Sequence, residues 1–323
     1  MSVPNGFDLH SLTIFLEVVA TGSMTAAGTR LRLTQSAVSQ VVRQLEEGLG
    51  QTLFDRTLRP LALTTAGRLL QDHAQRLVRD AERAVSQLRA SGATGLPSLR
   101  LGMIDSTAAM LGPAVIEALL STQQLLLWAG LAPNLSEALL QRRLDLIITA
   151  ERLDEVDGLD RYSICREPFV LVLPDGFYPG VPEDLKTAVR SLPLARYSAR
   201  SVMGTQVDLH LRRLNLDFPR TFEFDGSATV LAIVAAGRAW TITTPLCLLQ
   251  SRDLWPRLQI SPLPRPGFSR QLVLVSRSGE LGEAPRLVTE AARAALRDTL
   301  IPSLLPDLPW LGPRMVLDGD ALD

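Results

Sequence analysis

FLEVVATGSMTAAGTRLRLTQSAVSQVVRQLEEGLGQTLFDRTLRPLALTTAG, residues 15–67, sets apolar residues between caps and breakers at the spacing of three short helices followed by a hairpin. Just before it, Asp8 is placed to cap a first helix, along which Leu9, Leu12, Phe15, Leu16 and Val19 form one apolar stripe. Thr21-Gly22 ends that helix. Ser23 can cap a second, MTAAGTRL, in which Ala27 and Leu31 face the core while Ala26, Ala27 and Gly28 are small enough for close helix approach. Glycine lowers helix propensity, so close packing has to compensate at Gly28.

Thr34 can cap a third helix, QSAVSQVVRQLEEGL. Its Val38, Val42, Leu45 and Leu49 recur at steps of four, three and four and make a core face. The opposite face carries Gln35, Ser36, Ser39, Gln40 and Arg43, amides and hydroxyls where a solvated helix generally shows Glu and Lys. Such side chains can hydrogen-bond base edges in a major groove or contact phosphates. Periodicity alone fits a packed three-helix bundle equally well. The following LFDRTLRPLALT has a turn-like centre at Thr57 to Pro60 and reads as a short hairpin with Arg56 and Arg59 at its tip. Those arginines are placed to reach a phosphate backbone or minor groove; the alternative is that Arg56 pairs with Asp55 or Glu46.

Taken together, Phe15, Gly22-Ser23, Thr25, Ala27, Leu31, the TQSAVS run, Leu45-Glu46, Leu49-Gly50, Leu53-Phe54, Arg56, Arg59 and Leu63-Thr64 through Gly67 resemble, without a gap, the DNA-binding domain of LysR-type transcriptional regulators. The resemblance implies a winged helix-turn-helix in which Gln35, Ser36, Ser39 and Gln40 read bases, and Ser23, Thr25, Arg56 and Arg59 contact backbone or the flanking groove. This chain departs from the family pattern at Met24, Ser36 and Gln40, where the family usually has Phe, often Pro, and frequently Arg or Lys.

From Thr65, read as an N-cap, a helix extends to about Ala90 with Leu70, Ala74, Leu77, Ala81, Ala84 and Leu88 in a heptad seam. About 26 residues would make a rod of roughly 39 Å, long enough to space two DNA-binding heads. A helix packed on its own domain is the alternative. The linker SGATGLPS follows it, and the family resemblance also implies a dimerising helix here.

Beyond the linker, LRLGMI, LLLWAG, DLIITA, FVLVLP, LARY, TFEF, AWTIT and QLVLVS alternate with helical segments, an α/β pattern whose last strand and helix are expected to return to the first sheet. Leu99 to Gly102, RRLDLIIT, Glu167-Pro168 and VAAGRAWTITTP are similar to the LysR-type effector domain with its periplasmic-binding-protein fold. The resemblance implies two lobes and a cleft lined by Asp105, Ser106, Thr107, Ser198, Arg200, Ser201, Ser227, Thr243 and Thr244. Each Ser and Thr also fits a helix cap or turn, and an exposed Arg200 need not meet a ligand. Helix N-termini at the cleft would suit an anionic small molecule. The tail, PSLLPDLPWLGPRMVLDGDALD, holds four prolines and is not expected to continue a helix; Leu304, Leu308, Trp310 and Leu311 can pack on this chain or on a neighbour.

The expected organisation is therefore a multi-domain chain: an all-α winged helix-turn-helix domain over residues 1–65, a linker helix and hinge over 66–95, and a two-lobed α/β effector domain over 96–301. Lobe I takes about 96–165 and 267–301, lobe II about 166–266, and a tail spans 302–323. A net charge of -1 gives no bulk basic signature, although residues 1–91 hold 10 Lys and Arg against 8 Asp and Glu. Cys165 and Cys247 show no Cys-x-x-Cys pattern, and His210 is the sole histidine after the linker, so no metal, cofactor or catalytic centre is expected and the chain is not read as an enzyme. Ser106 lacks a Gly-x-Ser-x-Gly elbow. MSVPNGFDLH shows neither a basic leader nor an apolar run, which points to the cytoplasm and away from an exported solute binder. The expected partners are double-stranded DNA, a small-molecule effector and a second copy of the chain in a dimer or tetramer; RNA polymerase is left open and no membrane is expected.

Overall fold

The computed structural model describes residues 4, 6–57, 60–90, 98–122, 124–189 and 192–317. The chain divides into two compact units, Met1–Leu96 and Pro97–Asp323.

In the first unit α1 (Leu9–Thr21), α2 (Met24–Leu31) and α3 (Gln35–Leu49) precede a two-stranded ribbon of β1 (Phe54–Asp55) and β2 (Ala62–Leu63), and α4 (Thr65–Ala90) closes it. Asp8, Ser23 and Thr34 cap the first three helices, each side chain accepting from a backbone N–H three residues on. The first helix is turned from the expected stripe: Leu12, Ile14, Phe15 and Val18 are fully buried, whereas Leu9 is exposed. The helix is apolar almost all round, so periodicity does not select its buried side. Gly28 earns its place, because a Cβ there would stand 2.8 Å from the Leu33 carbonyl oxygen. That same turn is closed by the Leu33 N–H donating to Gly28 O at 2.8 Å. The cap of α4 is Thr64 rather than Thr65: its hydroxyl accepts from Gly67 N and donates to Thr52 O, tying the helix start to the ribbon. The heptad seam divides. Leu70 and Ala74 join the unit's own core, while Leu77 is 43% exposed.

The second unit contains two lobes. β3 (Ser98–Ile104), α5 (Asp105–Ala118), β4 (Gln124–Gly130), α6 (Ala132–Leu140), β5 (Leu146–Thr149) and β6 (Leu159–Pro168) build lobe I. The chain then enters lobe II through β7 (Val170–Pro174), α7 (Leu185–Ala188), β8 (Ala195–Tyr197), α8 (Val202–Arg213), β9 (Phe222–Phe224), α9 (Ser227–Ala235), β10 (Thr241–Thr243), α10 (Pro245–Leu249) and β11 (Leu258–Pro262). It returns through β12 (Ser269–Arg277) and α11 (Ala284–Ala295), and ends with α12 (Ile301–Leu304) and β13 (Val316–Leu317). Lobe I's sheet has the order β13-β6-β12-β5-β3-β4, parallel where β3 meets its neighbours and antiparallel at β12 and β13. Lobe II holds the antiparallel set β10-β7-β11 and the parallel pair β8-β9. The return of β12 and α11 to the first sheet is as expected; β6 and β11 escape periodicity because polar residues interrupt them.

The tail corrects the expectation that its prolines stop the helix. A π-turn over Leu296–Leu300 follows α11, and α12 begins with Pro302 in its first turn, where a missing N–H is tolerated. Leu304, Leu308, Leu311 and Met315 then enter the core of lobe II, after which Val316 and Leu317 pair with Arg166 and Cys165 on the edge of lobe I's sheet. The tail thus crosses from lobe I to lobe II and back, in addition to the passages at Pro168–Val170 and between β11 and β12. Leu311→Ala should cost the second unit about 2–5 kcal/mol, measured as a lowered denaturation midpoint; an unchanged midpoint would mean the tail contributes nothing to this core.

Candidate functional site

In the first unit the two faces of α3 separate cleanly. Val38, Val42 and Leu45 are fully buried, and Gln35, Ser36, Gln40 and Arg43 are exposed with Ser39 half-buried between them. Gln35, Ser39, Gln40 and Arg43 have no side-chain partner among the described residues, and Ser36 shares a hydrogen bond with the cap hydroxyl of Thr34 at 2.9 Å. Thr25 is exposed at the start of α2; Ser23 is engaged as that helix's cap. Arg56 lies on the ribbon and pairs with Glu46 at 2.7 Å, the alternative that sequence left open, although its side chain keeps 47% exposure. Glu46, named from sequence only as an alternative partner for Arg56, does more: buried, it also accepts from Leu53 N at 2.8 Å, so one carboxylate joins α3 to the ribbon. Arg59 lies outside the described residues.

In the second unit helix starts from both lobes surround an open pocket of about 480 Å³, a figure that includes solvent at its mouth. Lobe I contributes Asp105, Ser106, Leu131 and Ala132 from the starts of α5 and α6; lobe II contributes Tyr197, Ser201, Met203, Ser227 and Cys247. Of the residues expected there, Asp105, Ser106, Ser201 and Ser227 line it. Ser201 also caps α8, and Ser227 is hydrogen-bonded to the Gln250 side chain, whose Nε2 donates to the Asp105 carbonyl oxygen at 2.8 Å.

The others stand off the cavity for local reasons. Thr107 turns its hydroxyl back onto Ile104 O, as helix interiors allow. Thr243 is hydrogen-bonded to the Tyr197 hydroxyl at 2.6 Å, Ser198 is buried behind the β8 end, and Arg200 reaches outward to Asp225. Burial, then the nearby Cys247, pushes the Tyr197 phenol well above its ordinary range, so it serves as a neutral hydroxyl.

The centre of the site is a pair that sequence reasoning did not assemble. Arg270 on β12 and Glu167 on β6 face each other across adjacent antiparallel strands, 2.6 Å apart, at 3% and 0% side-chain exposure. Nη2 of Arg270 also donates to Ser106 Oγ of lobe I at 3.1 Å and to Thr244 Oγ1 of lobe II at 3.0 Å. Glu167 accepts in turn from Leu246 N in the first turn of α10. Burial is the largest influence on the guanidinium and opposes its charge; Glu167, Cys247 and Tyr197 together more than offset it, and the pKa of Arg270 ends raised. The signal available beforehand was Glu167-Pro168 as an anchor, without its partner 103 residues later.

The bacterial regulatory helix-turn-helix protein, lysR family, matches residues 9–68, and the LysR substrate binding domain matches residues 94–297. The HTH-type transcriptional regulator DgdR of Burkholderia cepacia is 29% identical over 81% of this chain and 86% of its own length. The nitrogen assimilation regulatory protein nac of Klebsiella aerogenes is 31% identical over 73% of this chain and 77% of its own. Among solved structures, full-length CbnR complexed with target DNA has a TM-score of 0.65 at 18% identity, covering 90% of this chain and all 100% of that one. No helix among the described residues is long and apolar enough to cross a membrane.

Glu167→Gln would leave a buried guanidinium without its counter-charge and should destabilise the second unit by about 3–5 kcal/mol. All four tryptophans lie in that unit, so denaturation followed by their fluorescence reads it directly. A loss below about 1 kcal/mol would show that water or another carboxylate replaces Glu167.

Proposed function

Because the chain belongs to the LysR family of bacterial helix-turn-helix regulators, we propose that it binds an interrupted inverted repeat in double-stranded DNA through paired α3 helices and is switched by a small molecule held in its C-terminal cavity. It is a transcriptional regulator with a helix-turn-helix DNA-binding domain and an effector-binding domain. The observation that carries the finer reading is the largely exposed amide-and-hydroxyl face of α3, where Gln35, Ser39, Gln40 and Arg43 have no side-chain partner among the described residues, opposite a fully buried apolar one.

On this reading Gln35, Ser36, Ser39 and Gln40 contact base edges, and Thr25, Arg43, Arg56 and Arg59 contact phosphates or the flanking groove. The pairing of Arg56 with Glu46 is compatible with that, since the Arg56 side chain keeps 47% exposure. Leu77, left open on α4 past the point where Leu70 and Ala74 turn into the core, supports a dimer built through the distal half of that helix, and two dimers would make a tetramer. The effector surface narrows to Asp105, Ser106, Ser201 and Ser227, with Arg270 at its floor. The effector shifts the population between arrangements of the paired heads and is left chemically unchanged, so the protein acts in the cytoplasm as a sensor and not as an enzyme. RNA polymerase is the partner through which activation would proceed.

The test is a footprint of the purified full chain on the DNA upstream of its own coding region, at moderate salt, with Gln35→Ala and Ser39→Ala beside the parent. Each substitution should lower specific affinity by about 1–3 kcal/mol while leaving the thermal midpoint unchanged. Equal protection by parent and variants would remove α3 as the reading helix.

A further inference from the structure

The charges around the C-terminal cavity do not balance. Arg270 on its floor is neutralised by Glu167, and Asp225 on its wall by Arg200 at 2.6 Å. Asp105, the first residue of α5, lines the same cavity, and its carboxylate has no hydrogen bond or ion pair among the described residues. One negative charge is left over and no positive one. An anion entering here would meet the Asp105 carboxylate, while Arg270 and Arg200 already hold counter-charges in Glu167 and Asp225.

The helix starts that made an anion the sequence-based expectation are partly answered from within. Glu167 occupies the first turn of α10, and Ser201 caps α8. A second observation asks for an oxygen acceptor. Nε and Nη2 of Arg270 are committed to Glu167, Ser106 and Thr244, whereas Nη1 of this 3%-exposed side chain, itself lining the cavity, has no acceptor among the described residues. Ile104, Leu131, Val202 and Met203 make the intervening wall apolar.

We propose that the effector is a small ammonium-bearing molecule that pairs its nitrogen with Asp105, offers an oxygen to Nη1 of Arg270 and lays its hydrocarbon part on the apolar wall. The proposal rests on the reading of this cavity as the effector site. Amino acids and amino alcohols share this chemistry; a carboxylate without the amine does not.

Matched sets on three carbon skeletons separate these cases: L-alanine, L-alaninol and propionate; L-valine, L-valinol and isovalerate; L-phenylalanine, L-phenylalaninol and 3-phenylpropionate. With the full chain, calorimetry and thermal shift should show binding by amine-bearing members of at least one set, and by its carboxylate roughly tenfold more weakly or not at all. Preference for the zwitterion over the alcohol would identify an amino acid, and the reverse an amino alcohol. Asp105→Asn should weaken amine binding by roughly tenfold or more without changing the ligand-free midpoint.

Gly130→Phe serves as a filled-cavity control, because a Cβ at Gly130 meets nothing within 4 Å. If Gly130→Phe abolishes amine binding while Asp105→Asn preserves it, the cavity remains the effector site and the ammonium assignment falls. If Gly130→Phe binds as the parent does, the cavity reading itself falls. Carboxylates binding as tightly as amines, or no member of any set binding, would overturn the proposal.

Discussion

Two buried charged side chains join the lobes of the C-terminal unit. Removing a guanidinium and a carboxylate from solvent costs several kcal/mol each before any interaction is counted. Arg270 and Glu167 recover that cost because they meet at 2.6 Å and because Ser106, Thr244 and the Leu246 N–H take up further valences around them. The pair also joins elements that topology keeps apart. Its two residues stand on β6 and β12, the strands at the crossings between lobes, and its hydroxyl and amide partners come from the starts of α5 and α10. A displacement of either lobe therefore has to stretch hydrogen bonds to a buried ion pair. A ligand beside Arg270 acts where that strain would be felt.

The DNA-binding unit uses a similar economy on a smaller scale. Glu46 accepts backbone N–H groups at Leu53 and Phe54 and holds Arg56, so the orientation of the ribbon relative to α3 depends on one buried carboxylate. Gly28 lets α2 and α3 turn within contact of each other, since any side chain would meet the Leu33 carbonyl. Neither device engages the side chains of Gln35, Ser39, Gln40 or Arg43 on the polar face of α3.

The tail adds a tether of a different kind. It leaves lobe I in a helix, buries Leu304, Leu308 and Leu311 in lobe II, and returns to the sheet edge of lobe I beside Cys165 and Arg166. Arg252 of lobe II fastens it further through Ser303 O and Asp307. Relative motion of the lobes is thus resisted on three chain segments, and the apolar tail segment exchanges solvent exposure for burial in the lobe it crosses.

What residue order determined by itself was much of what near neighbours govern. The caps Asp8, Ser23 and Thr34, the core stripe Val38, Val42 and Leu45, and the polar face opposite it follow from helical geometry within a few residues. Tertiary structure decided what two compatible partners could both satisfy. Leu70 and Ala74 fit a partner helix as well as their own core, and only folding showed that they turn inward while Leu77 stays open. Thr107 and Ser106 are adjacent hydroxyls at one helix start, yet one bonds its own backbone and the other meets Arg270. Arg270 and Glu167 are 103 residues apart, and their meeting depends on strand register, which is set by the packing of whole sheets and leaves no local trace in the chain.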